Sequence, residues 1–317
     1  MSELLDERWL ASNPLPLLSG VEDKNTRGRV LVVGGAEFVP GALRLTGEAA
    51  LRAGAGKLQL ATVHSAATAL GVLMPEAAMI ALPADRDGEI GLEAAEVLRA
   101  RIPRCDSLVL GPGMTVGKRT GRFVAEMLAD PDEARTFVLD AAAASSAGDL
   151  MKAIGTHKGR VVLTPHFGEM ARLAGVSIEA VAADPEQIAA DMARRYQCII
   201  VLKGQSTHIA APSGALLGFE SGCVGLATGG SGDVLAGIIG GLCARGASPL
   251  VASGWACWIH GQAGRILAEE IGMVGFLARE LLPLVPRLLQ GSVENGRSRS
   301  IIPSAKQTDG FSNNRLI

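Results

Sequence analysis

In the stretch GLATGGSGDVLAG, Gly225 to Gly237, four glycines, a threonine and a serine stand just ahead of a single carboxylate, Asp233, and an apolar, helix-like run follows it. Glycines leading into a helix let backbone N–H groups converge on one point, and the helix start adds partial positive charge there, so the arrangement suits a phosphate. A carboxylate beside it would repel the phosphate unless it serves another group, such as a hydroxyl whose proton leaves as a phosphoryl group arrives. That is the use the spacing assigns to Asp233. An aspartate N-cap is a chemically sound alternative, and a lone glycine cluster is most simply a tight turn with close helix packing, but neither explains four glycines beside one acid.

Neighbouring residues exclude the common phosphate loops. A Walker A loop needs G-x-x-x-x-G-K-[ST], but Gly56-Lys57 and Gly117-Lys118 are followed by Leu58 and Arg119. A dinucleotide fingerprint starting at Gly230 needs a glycine where Leu235 stands, and this run comes late, without a simple strand before it. The nucleophile elbow G-x-S-x-G fails because Asp233 occupies its last position.

Short β-rich runs recur upstream, each followed by a turn and a helical pattern: RVLVVGG from Arg29, KLQLATV from Lys57, AAMIALP from Ala77, SLVLGPG from Ser107, TFVLDAA from Thr136, RVVLTPH from Arg160 and CIIVLKG from Cys198. The alternation predicts an α/β fold with a mostly parallel central sheet and helices on both faces. The runs are continuously apolar, as doubly buried strands are, and several end in Gly, Pro, Asp or His at the carboxyl edge, where open α/β sheets place ligands. After Lys203, THIAAPSGALLGFES reads as an antiparallel hairpin about a Pro-Ser-Gly turn, and two helices are expected near 232–245 and 249–270. Residues 1–290 read as one domain, and 291–317, rich in Ser, Asn and Arg, as a disordered tail. There is no internal repeat.

The chain has 317 residues, 48% of them hydrophobic, enough for a full core in one large domain. Aromatic content of 3% and a formal net charge of −2 argue against a stacking or basic surface for nucleic acid. The five cysteines lack a C-x-x-C pair and sit in apolar surroundings, which predicts reduced core residues and neither a zinc site nor a disulfide framework. The opening MSELLDERWLASNPLPLL carries three acids and two prolines and reads as no signal peptide. The apolar stretch from Val234 to Ile259 is broken by Arg245 and Pro249, so it reads as a buried helix pair and not a membrane span. The expectation is a soluble, cytoplasmic protein.

TGGSGDVLAGIIGGLCARG, together with VLVVGGAEFVPGALRLTGEAALRAGAG, LVLGPGM, VVLTPHFGEMARLAG, VLKGQSTHIAAPSG and WIHGQAG, resembles the ADP- or ATP-dependent NAD(P)H-hydrate dehydratases, a branch of the ribokinase-like fold. The likeness runs in family order from about Lys24 to about Gln290. It implies repair of hydrated nicotinamide cofactor: a nucleoside phosphate phosphorylates the ring hydroxyl of the S epimer of NADHX or NADPHX, and loss of phosphate, aided by the ring nitrogen, regenerates NADH or NADPH. By the same likeness Asp233 is the catalytic base and Gly230, Ser231 and Gly232 the anion hole. Lys203, Gly204, Gln205, Ser206 and Thr207 match the family's nucleotide-binding K-G-x-x-T; Lys203 offers a mobile cation and Thr207 a hydroxyl. Ala42, Gly113 and His166 are implied in hydrate binding with Asp233, the first two because small residues let a flat ring approach the backbone; taken alone, His166 reads as an ordinary cap or turn residue. Glu169, three residues after His166, implies an acid that organises Mg2+ through water. His260 reads as packing or nucleotide-proximal, and His64, His157 and His208 carry no pattern.

One departure stands out: where the family pattern is D-A-D, Asp140 is followed by Ala141 and Ala142, which leaves the role of Asp140 open. Two rivals use the same residues: a ribokinase-like kinase of a vitamin alcohol such as hydroxyethylthiazole, and a nucleotide-binding relative without turnover. The motifs serve ADP or ATP alike. A homo-oligomer, a tetramer among the options, is expected from the resemblance, as is a functional link to an NAD(P)H-hydrate epimerase on another chain.

Overall fold

The computed structural model describes residues 2–17, 24–220 and 223–290; the tail expected at 291–317 lies outside them. Its strands are β1 (Glu3–Leu4), β2 (Arg29–Val33), β3 (Lys57–Val63), β4 (Ala77–Leu82), β5 (Ser107–Leu110), β6 (Thr136–Leu139), β7 (Val161–Leu163), β8 (Ile199–Leu202), β9 (Thr207–Ala210) and β10 (Leu216–Phe219). They form one sheet in the order β1-β10-β9-β8-β7-β6-β5-β2-β3-β4. Every pairing is parallel except those of β9 with β8 and β10, so β9 alone runs against the rest. Each strand predicted from the sequence is present, and the 207–219 hairpin extends the sheet as expected.

β1 was not foreseen. It pairs parallel with β10, Glu3 opposite Leu217, and two residues are too few to display a strand period. The helix Glu7–Ser12 follows, capped by Asp6, and buries Trp9 and Leu10. Glu3 thus lies in the strand, Asp6 caps the helix, Glu7 opens it, and the two prolines follow it in the loop.

Both sheet faces are covered, which is why the strands read as unbroken apolar runs. Along β2, Val30 and Val32 enter one core cluster and Leu31 and Val33 the other. The first cluster lies beneath the helices Gly41–Arg52, Ser231–Ala244 and Pro249–Glu270, the second beneath helices that include Lys118–Met127 and Pro185–Tyr196. Four cysteines are buried and Cys223 is half-buried, all as free thiols; burial pushes the Cys243 and Cys257 thiols up to about 12. Among the described residues, no helix is long and apolar enough to cross a membrane.

The sheet order places a switch point between β2 and β5. From β2 the chain steps outward to β3 and β4, then returns to the other side of β2 and steps outward through β5, β6, β7 and β8. Loops leaving the carboxyl ends of β2 and β5 therefore diverge and open a crevice.

Candidate active site

Asp140 follows β6 directly and is 2% exposed. Its Oδ1 accepts hydrogen bonds from Thr164 Oγ1 at 2.5 Å and Lys203 Nζ at 2.9 Å, residues that follow β7 and β8. Lys203 is held in line by its own amide, which donates to Pro165 O at 2.8 Å. Burial drives the Asp140 carboxyl upward, but the Lys203 ammonium and the hydrogen bonds from Thr164, Lys203 and the Ala141 amide outweigh it and leave the group below the usual carboxylate value. Lys203 moves oppositely: burial pulls it down, and the charges of Asp140, Glu169 and Asp233 raise it above an ordinary lysine. Ala142, where the family pattern has a second acid, is buried, so Asp140 is the acid this chain keeps at the end of β6.

Asp233 lies in the first turn of the helix Ser231–Ala244. Gly230 caps that helix at φ +91° with no side-chain hydrogen bond, so the first-turn N–H groups of Gly232 and Asp233 are not taken up by a capping side chain. A Cβ on Gly232 would stand 3.3 Å from Lys203 Nζ and 3.9 Å from Asp140 Oδ2; the glycine keeps the helix mouth open to the ion pair. A Cβ on Gly230 would meet Leu45 Cδ1 at 2.6 Å and Asp233 Oδ2 at 3.9 Å, which puts the Asp233 carboxyl near the helix Gly41–Arg52. Burial, then the charge of Asp140, push the Asp233 carboxyl up to about 7, with Lys203 pulling the other way.

Further glycines bring this helix so close. A Cβ at Gly237 would lie 2.2 Å from Thr46 O, one at Gly241 2.5 Å from Ala50 O, and one at Gly240 2.4 Å from Val109 Cγ2. The helix is therefore packed backbone to backbone against Gly41–Arg52 and directly on β5. Close packing and an open phosphate-suited mouth are two products of the same glycine-rich sequence.

A cavity of about 600 Å³ opens at this edge. Lys203, Gly204, Gln205 and Thr207 line one side, Thr228, Ser231 and Gly232 the helix mouth, and Val224, Leu226 and Leu235 an apolar wall, with His166 and His260 completing it. The structure thus brings the K-G-x-x-T segment and Ser231 and Gly232 of the glycine run onto one cavity, which Gly230 does not line. Ser206 lies in the same bend without lining it, and Asp233 stands one residue past the lining residue Gly232.

Ala42 and Gly113 meet elsewhere, at the switch point. The two loops are stitched by Gly35 N donating to Pro112 O at 2.7 Å and Ala36 N to Gly113 O at 2.9 Å. Gly113 sits at φ +69°, and a Cβ there would lie 2.5 Å from Val39 O and 3.2 Å from Ala42 Cβ. The helix Ser231–Ala244, with Asp233 in its first turn, packs on the helix that carries Ala42.

His166 caps the helix Phe167–Ala174: its Nδ1 accepts from Gly168 N at 3.0 Å and Glu169 N at 3.3 Å, and Glu169 Oε2 accepts from His166 N at 2.9 Å. The other Glu169 oxygen, Oε1, accepts from Ser145 Oγ at 3.2 Å. Among the described residues no group of three or more His, Cys, Asp or Glu side chains is arranged to hold a metal ion. Sequence reasoning missed the Asp140–Thr164–Lys203 cluster and the lining role of Thr228. The signal was present, since TFVLD, VVLT and CIIVLK all place a polar residue just past a strand, but their convergence depends on the sheet order.

The family model of NAD(P)H-hydrate dehydratases matches residues 30–287. An ADP-dependent (S)-NAD(P)H-hydrate dehydratase from Xanthomonas campestris pv. campestris is 46% identical over 282 residues, covering 88% of this chain and 93% of that one. Among solved structures, a ribokinase-like superfamily protein from Enterococcus faecalis superposes with a TM-score of 0.76 at 26% identity, over 92% of this chain and 96% of that one. The ADP/ATP-dependent NAD(P)H-hydrate dehydratase from Bacillus subtilis, co-crystallised with ATP/Mg2+, gives 0.74 at 26% identity, over 92% and 99%. The architecture described above is therefore the ribokinase-like one.

Proposed function

This chain belongs to the NAD(P)H-hydrate dehydratase family, and from that membership we propose how its site carries out ADP-dependent dehydration of the hydrated nicotinamide cofactor back to NADH or NADPH. The observation that carries the reading is the placement of Asp233: first turn of a glycine-capped helix, beside the 600 Å³ cavity and against the helix bearing Ala42.

The nucleotide occupies that cavity. Its terminal phosphate meets the helix mouth at Gly230, Ser231 and Gly232, while Lys203 supplies charge and Gly204, Gln205, Ser206 and Thr207 shape the bend around it. The hydrate lies at the switch point against Ala42 and Gly113, with its ring hydroxyl at Asp233 and His166 at the border with the nucleotide. The Asp233 carboxylate accepts the hydroxyl proton as the ring oxygen bonds to the terminal phosphorus, and the bridging oxygen leaves with AMP when ADP is the donor. The ring nitrogen's electron pair then expels phosphate, and loss of a ring proton restores the reduced nicotinamide.

Magnesium fits this site only as a passenger of the nucleotide. Glu169 has both oxygens engaged and no protein cage is formed among the described residues, so Mg2+ would be held by phosphate oxygens, with Glu169 reached through water. When bound it neutralises charge on the transferred group. We read the chain as one domain over 1–290, cytoplasmic, and a homo-oligomer; because the Xanthomonas relative is named for the S epimer, a linked epimerase supplies that epimer from its counterpart.

The test is turnover of hydrated NADH and NADPH with ADP and with ATP, followed by recovery of the near-ultraviolet absorbance of the reduced ring. A stable phosphate ester with no recovery would favour a small-molecule kinase, and nucleotide binding without turnover a non-catalytic relative.

A further inference from the structure

His260 lies within the helix Pro249–Glu270, well away in sequence from the glycine run, yet its Nε2 stands 2.9 Å from Ser231 Oγ and 3.1 Å from Ser231 O. Both residues line the cavity. A carbonyl oxygen can only accept, so Nε2 carries the proton; the opposite tautomer would set two lone pairs against each other at 3.1 Å. That N–H leans on the hydroxyl oxygen as well, so Oγ accepts on this side and its own proton points elsewhere. The Ser231 amide is already spent, donating to Thr228 O at 3.3 Å. Among the described residues the Ser231 hydroxyl makes no side-chain hydrogen bond besides the contact with His260. The hydroxyl is what it can still give.

We propose that His260 is a positioning residue: its Nε2–H grips both oxygens of Ser231 and so turns the Ser231 hydroxyl proton into the cavity, toward the terminal phosphate oxygens of a bound nucleoside diphosphate. This rests on the reading of the cavity as the nucleotide's. Burial, helped by the Lys203 charge, pushes the His260 imidazole down to about 4 against the opposing bond to Ser231, so the ring adds a direction and not a charge at neutral pH.

The experiment is calorimetric titration of the full chain with ADP and with AMP, which lacks the terminal phosphate. Ser231→Ala is expected to weaken ADP about tenfold, the loss of one charge-assisted hydrogen bond, and to leave AMP unchanged. His260→Leu should weaken ADP about threefold to tenfold with AMP again unchanged, His260→Gln, whose amide nitrogen reaches the Nε2 position, should restore most of it, and His260→Leu should cost nothing further in the Ser231→Ala background. Should the leucine variant fail to fold, His260→Asn, whose amide falls short of Ser231, replaces it. Equal losses for ADP and AMP, losses that multiply in the double variant, or no effect of His260→Leu on ADP would each overturn the proposal. An unaltered chain that binds no ADP would overturn this inference and the dehydratase reading together; one that binds ADP but turns over no hydrate would overturn the dehydratase reading alone.

Discussion

Asp140 and Lys203 meet at 2.9 Å across the end of a strand that belongs to neither: Asp140 follows β6, Lys203 follows β8, and β7 lies between them. Thr164, just past β7, donates to the same carboxylate oxygen. One buried oxygen therefore ties three consecutive strand ends together, directly beneath Gly232 and next to the acid in the following position. The charge balance at Asp233 is set by this cluster.

Asp233→Asn should lower kcat by about 10²–10⁴-fold, the usual worth of a general base, with ADP affinity retained in calorimetry. In the unaltered protein the base works only when ionised, so kcat/KM should fall as pH drops through about 7, the value to which burial and Asp140 push it. The stability sign is opposite. A carboxyl raised on folding contributes stability below the ordinary carboxylate range and loses it as pH rises through the folded value. Asp233→Asn should therefore melt higher than the unaltered protein at pH 8, by a margin that shrinks toward pH 4; a constant margin would argue against a perturbed acid here.

Asp140→Asn and Lys203→Met should move that catalytic limb in opposite directions. Asp140 raises Asp233 and Lys203 lowers it, so the asparagine shifts the midpoint to lower pH and the methionine to higher pH. Each also strands its former partner, and removing one member of a buried pair costs about 3–5 kcal/mol. For Asp140, whose carboxyl is depressed on folding, the stability it contributes above the usual carboxylate range is lost as pH falls through its folded value. Melting curves at pH 8, together with pH–rate profiles, separate the two effects; profiles that move the same way would contradict the assignment of charges.

The strand runs and their carboxyl-edge residues were legible because strands buried on both faces leave an unbroken apolar signature, as in RVLVV and SLVL. The glycine run was legible as a glycine-led helix start, and the helix Ser231–Ala244 begins there. What stayed hidden was relational. Nothing local to TFVLD or IIVLK shows that β6 and β8 flank β7, so the Asp140–Lys203 pair could not be read. β1 escaped because its two residues make sense only against β10. The cap at His166 was legible as the plain alternative to its implied chemistry, while the part of Glu169 in it was not: the His-x-x-Glu spacing that suggests chemistry is also that of a reciprocal cap, which both side chains form.

Gly237→Ala should destabilise the fold by about 1–3 kcal/mol, the ordinary cost of overpacking, because its Cβ would lie 2.2 Å from the Thr46 carbonyl oxygen. Relief requires the helix Ser231–Ala244 to back away from Gly41–Arg52, carrying Asp233 with it, so kcat should fall along with the melting temperature. Gly229→Ala is the control: a Cβ there meets nothing within 4 Å, and the melting temperature should hardly move. Equal behaviour of the two variants would mean the glycines serve the loop and not the packing.

Ala141 takes φ +47°, a left-handed conformation that costs an L-residue with a Cβ about 1–2 kcal/mol. The residue sits between Asp140 and the buried Ala142, and its amide is one of the donors that hold Asp140 ionised, so the strain is kept where the chain must turn from β6 into a helix while aiming an N–H at that acid. Glycine adopts the same angles without penalty, at an unfolded-state entropy cost of about 0.4–1 kcal/mol. The first figure exceeds the second, so Ala141→Gly should stabilise the protein, by up to about 1.6 kcal/mol. Because the amide remains, the pH midpoint of kcat/KM should stay where it was. Denaturant melts and a pH–rate profile check both halves: a lower melting midpoint would show that the Ala141 methyl contributes more in packing than its backbone loses in strain, and a displaced pH midpoint would show that Asp140 depends on the stiffness of this turn as well as on its hydrogen bond.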